Sequence, residues 1–72
     1  MGVMERRAIK KRLQYIKNAQ KEHIACLANI ASEIKQMRTA SEKSQRIADA
    51  LMTIAMTLQL SVELIEKTLE EL

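Results

Sequence analysis

Residues 38–44 read Arg38-Thr39-Ala40-Ser41-Glu42-Lys43-Ser44, a polar stretch without one large apolar side chain between two apolar-striped halves. If the helix stops here, the chain is a hairpin; if it continues, the chain is one long rod. Thr39 and Glu42 fit a capping box, in which a hydroxyl and a carboxylate satisfy free amides of a new helix's first turn. Ser41 competes as the N-cap. Neither glycine nor proline marks the break.

On the N-terminal side, apolar and seam positions recur at steps of four and three: Ile9, Leu13, Ile16, Gln20, His23, Leu27, Ile30, Ile34, Met37. That spacing lays one stripe along an α-helix, and such a stripe must be buried. The reading is all-α: a long antiparallel helical hairpin, coiled-coil-like, pairing into a four-helix bundle. It is a single domain over residues 1–72, with helix 1 over about 4–38, a turn at about 39–41 and helix 2 over about 42–71. Folding at about residue 40 sets Ile34 opposite Ile47, Ile30 opposite Leu51, Leu27 opposite Ile54 and His23 opposite Leu58. Gln20 then meets Ser61, so Gln20, His23 and Ser61 form a polar, register-setting part of the seam. The fold also brings Arg6, Arg7, Lys10, Lys11, Arg12, Lys17 and Lys21 toward Glu63, Glu66, Glu70 and Glu71.

The rival is a continuous parallel coiled coil, roughly 105 Å long at about 1.5 Å per residue. Its stripe passes through Ser41, Ser44, Ala48, Leu51, Ala55, Leu58, Val62, Ile65, Leu69 and Leu72. It buries serines in two successive layers and leaves Ile47, Met52, Ile54 and Met56 uncovered, so the hairpin is preferred.

The chain has 72 residues, of which 47% are hydrophobic and 1% aromatic. A chain this short is marginal alone, and its single cysteine, Cys26, allows no internal disulfide. Helix packing with a partner is what remains. Two apolar faces on helix 2 and a broad one in helix 1 predict that partner's surface: Ile24, Leu27, Ile30, Ile34, Leu51, Met52, Ala55, Met56, Leu60 and Leu64. The partner is a second copy, as dimer or tetramer, or another helical protein.

No catalytic set, cofactor motif or metal site is read. His23 and Cys26 lie at i, i+3 but supply only half a metal site, and no oxyanion-hole loop accompanies them. Met52 and Met56 read as core filler ahead of an adaptable binding groove. The segment Ala50–Ile65 is broken by Thr53, Thr57, Gln59, Ser61 and Glu63, so no membrane span is expected. Arg6 stands where N-myristoylation of Gly2 would want Ser or Thr. Met4 is a second candidate start, which would leave Met1–Val3 as an extension. The localisation expected is cytoplasmic.

The function expected is a non-enzymatic protein–protein interaction module: a small assembly factor, co-chaperone or inhibitor acting through apolar helix faces. In size and plan the chain resembles the small hairpin co-chaperones of type III secretion needle subunits, a likeness of architecture that brings no motif and no site residues with it. The first alternative is a basic nucleic-acid-binding regulatory protein, suggested by net charge +3 and a pI near 9.3. Its candidate contacts to an anionic partner are Arg6, Arg7, Lys10, Lys11, Arg12 and Lys17. The second is the long coiled-coil scaffold.

Overall fold

The computed structural model covers residues 1–72 and consists of two helices, α1 (Val3–Gln36) and α2 (Glu42–Glu71). Both are rich in Ala, Leu, Met, Lys, Arg, Glu and Gln, residues that lose little on entering a helix. Gly2 sits at the N-cap of α1 in extended backbone, and its amide donates to Oε2 of Glu5 at 3.4 Å.

The break falls slightly earlier than the sequence predicts. α1 stops at Gln36, and Met37 turns extended, with φ −65° and ψ 137°. The Ala40 amide donates to the Met37 carbonyl at 3.1 Å, closing a tight turn. Ser41, also extended, accepts from the Ser44 amide at 3.2 Å and caps α2. The Thr39–Glu42 box is therefore not used: Thr39 lies inside the turn, two residues short of the helix. No residue in the turn has positive φ. That explains the missing glycine, because a turn whose residues all keep negative φ does not need one.

The chain doubles back at this turn. Its longest extent is 57 Å, with 14 and 13 Å across. A helix the length of α1 spans roughly 51 Å. The helices pack against one another, and the continuous rod does not form.

The seam between them differs in phase from the predicted pairing. On α1 the seam runs through Leu13, Lys17, Gln20, Ile24, Leu27, Ala31 and Ile34, with Ala19 and Ala28 half-buried beside it. Alternate members of the predicted stripe, Ile16, His23 and Ile30, are each displaced by their C-terminal neighbour. On α2 the seam is Ser44, Ala48, Leu51, Ala55, Leu58, Val62, Ile65, Leu69 and Leu72. This is the phase drawn for the continuous rod, used here inside a hairpin. Ile47 and Ile54, which the pairing sets against Ile34 and Leu27, remain exposed. The fully buried residues are Ala31, Ala48, Ala55 and Val62. The physical reason is size: small side chains let two helix axes close in, and isoleucines at the same points would hold them apart.

Lys35 Nζ lies 3.2 Å from Asp49 Oδ1. The predicted pairing would have placed Lys35 opposite Arg46, a like charge. The bridge is half-exposed at Lys35 and more open at Asp49, so it contributes at most about 0.5 kcal/mol and selects a register more than it stabilises one. It is the molecule's one ion pair. The N-terminal cations and the C-terminal glutamates do not pair, contrary to the sequence reading.

These contacts order the effects of substitution. Ser41→Ala loses the cap and should cost about 1 kcal/mol in urea unfolding. Thr39→Ala should stay within about 0.5 kcal/mol. Ala48→Leu overfills the seam and should cost about 1–3 kcal/mol. Equal effects at Thr39 and Ser41 would put the helix start in the wrong place.

Candidate functional site

Each helix carries a row of residues one position ahead of its seam. On α1 the row is Ile9, Ile16, His23 and Ile30; on α2 it is Ile47, Ile54, Ser61 and Thr68. One residue back along a helix is a rotation of about 100°. Both rows therefore flank the seam at the same angle in their own helix's frame. Their five isoleucines are between 36% and 49% exposed. Isoleucine gains nothing from water, so half-open isoleucines at seven-residue spacing make an uncovered packing surface.

A second apolar strip runs along α2. Met52, Met56, Leu60 and Leu64 follow one another at steps of four, and the last three are 66–67% exposed, among the most open large apolar side chains away from the chain ends. Leu60 and Leu64, with Glu63 and Lys67, line a shallow depression. Threonines that interrupt this helix in the sequence do not wet it. Thr53 Oγ1 donates to the Asp49 carbonyl at 3.0 Å, and Thr57 Oγ1 to the Thr53 carbonyl at 3.0 Å. Thr68 Oγ1 does the same to Leu64 at 2.9 Å. Each hydroxyl is satisfied by its own helix, so the outer side of α2 is drier than its composition suggests.

By length and composition, α2 is apolar enough to cross a membrane, contrary to the reading of Ala50–Ile65 as too interrupted.

The predicted interface residues divide between seam and surface. Ile24, Leu27, Ile34 and Leu51 are half-buried between the helices, and Ala55 is buried there. Ile30, Met52, Met56, Leu60 and Leu64 are exposed. Ile9, Ile16, Ile47 and Ile54 belong to the exposed surface and are absent from the predicted set. The signal that could have found them is the alanine at 31, 48 and 55, the small residues buried between the helices.

Of the polar seam residues, Gln20 and Ser61 are half-buried, while His23 is exposed. His23 is displaced from the seam by Ile24. The Gln20 Oε1 atom is buried with no hydrogen-bond partner. Cys26 is a free, exposed thiol. No three His, Cys, Asp or Glu side chains converge. A shallow groove between the helices near the turn is lined by Ala28, Ala31, Ser32, Lys35, Gln36 and Met52.

No protein-family model matches the chain, and no curated protein or solved structure matches it either.

A buried acceptor without a donor costs about 1–3 kcal/mol. Gln20→Leu should therefore raise the unfolding free energy by about 1 kcal/mol in a urea titration. A destabilised variant would show that Gln20 has a partner the hairpin geometry does not reveal.

Proposed function

We propose that this chain is a non-enzymatic protein–protein interaction module, an antiparallel helical hairpin that joins a second copy to make a four-helix bundle. An antiparallel pair has a two-fold axis perpendicular to its plane, so positions equivalent in the two helices fall on the same broad face. Under that symmetry the two isoleucine rows merge into one apolar face. Between Ile16 and Ile30, and between Ile47 and Thr68, these rows carry no Asp, Glu, Lys or Arg. A second copy brings an identical face and leaves no unmatched charge at the contact.

The observation that carries the reading is the poverty of the hairpin's own interior. Four of 72 residues are buried, three of them alanine. No leucine or isoleucine is fully covered, so the largest apolar groups still lack most of their burial energy. Covering one of them completely is worth about 1.5–3 kcal/mol. On the outer strip of α2, Met56 and Leu60 lie away from the paired face, and Leu64 borders it beside Ser61 and Thr68. In this reading the strip receives an apolar helix of another protein, in the manner of helix-in-groove recognition. The job is that of an assembly factor, co-chaperone or inhibitor.

Sedimentation equilibrium tests the first contact. The wild-type chain should be a dimer at micromolar concentration. Ile54→Lys buries an unpaired charge in the face and should weaken association by about 3 kcal/mol, roughly a hundredfold. Leu60→Asp, on the outer strip, should leave the dimer intact. A fully helical wild-type monomer, or an unchanged dimer with Lys at 54, would sink the isoleucine face. Partition of the wild-type chain into neutral lipid vesicles would instead give α2 to a membrane.

A further inference from the structure

The outer side of α1 carries the densest charge in the molecule. Arg6, Arg7, Lys10, Lys11, Arg12, Lys17 and Lys21 lie in the first 21 residues against one carboxylate, Glu5. Within this cluster, Arg7, Lys11, Gln14, Asn18 and Lys21 follow at steps of four, three, four and three, which draws a single row along the helix. All five are exposed, and Lys10 adjoins them, also exposed. The row holds no large apolar side chain, and Glu22 closes it at the far end. On α1 it lies about half a turn around from the isoleucine row. None of these cations is within ion-pair distance of a carboxylate, since the molecule's one bridge is Lys35–Asp49 near the turn. Glu63, Glu66, Glu70 and Glu71 of α2 reach none of them.

We propose that this row binds the phosphate backbone of a nucleic-acid duplex, without regard to sequence. Cations with no protein partner have no native ion pair to break, and their transfer to phosphate releases the counterions condensed on the duplex. Gln14 and Asn18 sit between them and can donate amide hydrogen bonds to phosphate oxygens. From Arg7 to Lys21 the row spans about 21 Å, the reach of about six phosphates along one strand. The helix is already formed, so little ordering opposes the contact. A single strand would need aromatic platforms, and the chain's one aromatic, Tyr15, stands alone. An anionic membrane surface would need a continuous strip of large apolar side chains beside the cations to insert, and only Met4 and Tyr15, eleven residues apart, adjoin the row. The row is open in a single hairpin and in a pair alike, so this inference stands apart from the association reading.

The test is fluorescence anisotropy of a labelled 20-base-pair DNA duplex of arbitrary sequence, titrated with the full chain. Four cation–phosphate contacts, from Arg7, Lys10, Lys11 and Lys21, predict an association constant that falls about 150-fold between 50 and 200 mM salt. The triple variant Arg7→Glu, Lys10→Glu, Lys11→Glu should abolish binding while its circular dichroism and sedimentation stay those of wild type. The double variant Lys43→Glu, Arg46→Glu alters charge at the turn, about 20 Å beyond Lys21 and roughly two Debye lengths away at 0.1 M salt, and should bind within about threefold of wild type. Absence of binding at 50 mM salt overturns the inference, as does binding indifferent to salt. Equal losses in the two variants would show net charge acting in place of the row. Tighter binding to phosphatidylglycerol vesicles than to the duplex would assign the row to a membrane surface.

Discussion

The close approach of two helices at Ala31, Ala48 and Ala55 is the constraint on which the rest of the molecule depends. An interface of small residues lets the backbones come near, and Val62 completes it further along α2. Once alanines occupy the contact line, the isoleucines beside them cannot. Ile30, Ile47 and Ile54 each sit one residue ahead of one of these alanines, and each is turned to the flank. The seam's choice of small residues thereby creates the apolar surface outside it.

The remaining surface is sorted by chemistry around that seam. On α1 the isoleucine row and the Arg7–Lys21 row stand nearly opposite one another. On α2 the outer strip is apolar, with Glu63 and Lys67 at its edge. The threonines of α2 shift its character further toward apolar, because Thr53 and Thr57 spend their hydroxyls on backbone carbonyls one turn back. Side chains that count as polar in a composition table thus behave as small apolar groups on this helix. A hairpin with so little buried has low stability by itself, and small helical scaffolds gain most of theirs by association.

Much of this was legible in the sequence. The helical content followed from the unbroken four–three spacing, and the hairpin followed from the polar stretch at 38–44 together with opposite apolar rows. The phase of the seam did not follow. Leu13, Gln20, Leu27 and Ile34 are common to the predicted and observed stripes, and the alternate positions are each one residue out. Hydrophobicity alone prefers Ile30 to Ala31 as a buried residue. Packing between two close helices prefers the alanine, and that preference depends on separation, which a one-dimensional pattern does not contain. The electrostatic argument failed for a related reason: charges placed at matching heights along two helices need not face each other, and only Lys35 and Asp49 do. Of the candidate interface, the outer strip from Met52 to Leu64 was readable as surplus apolar area. The isoleucine row was hidden, because its members had already been assigned to the seam.

The turn has a consequence for topology. One of the seam's two positions keeps a seven-residue step across the turn (Leu13, Gln20, Leu27, Ile34, then Ala48, Ala55, Val62 and Leu69), while its companions move from four residues on in α1 to three residues on in α2. Met37 and Ser41 are held extended by a handful of hydrogen bonds, with neither a left-handed residue nor a proline to forbid helix between them. A straightened chain lying alongside a reversed copy would therefore recover the same α1–α2 contacts between molecules that the hairpin makes within one. The two forms are related by domain exchange and differ in the conformation of about five residues around the turn. Such an exchanged dimer would gain with concentration by mass action, and the hairpin would not.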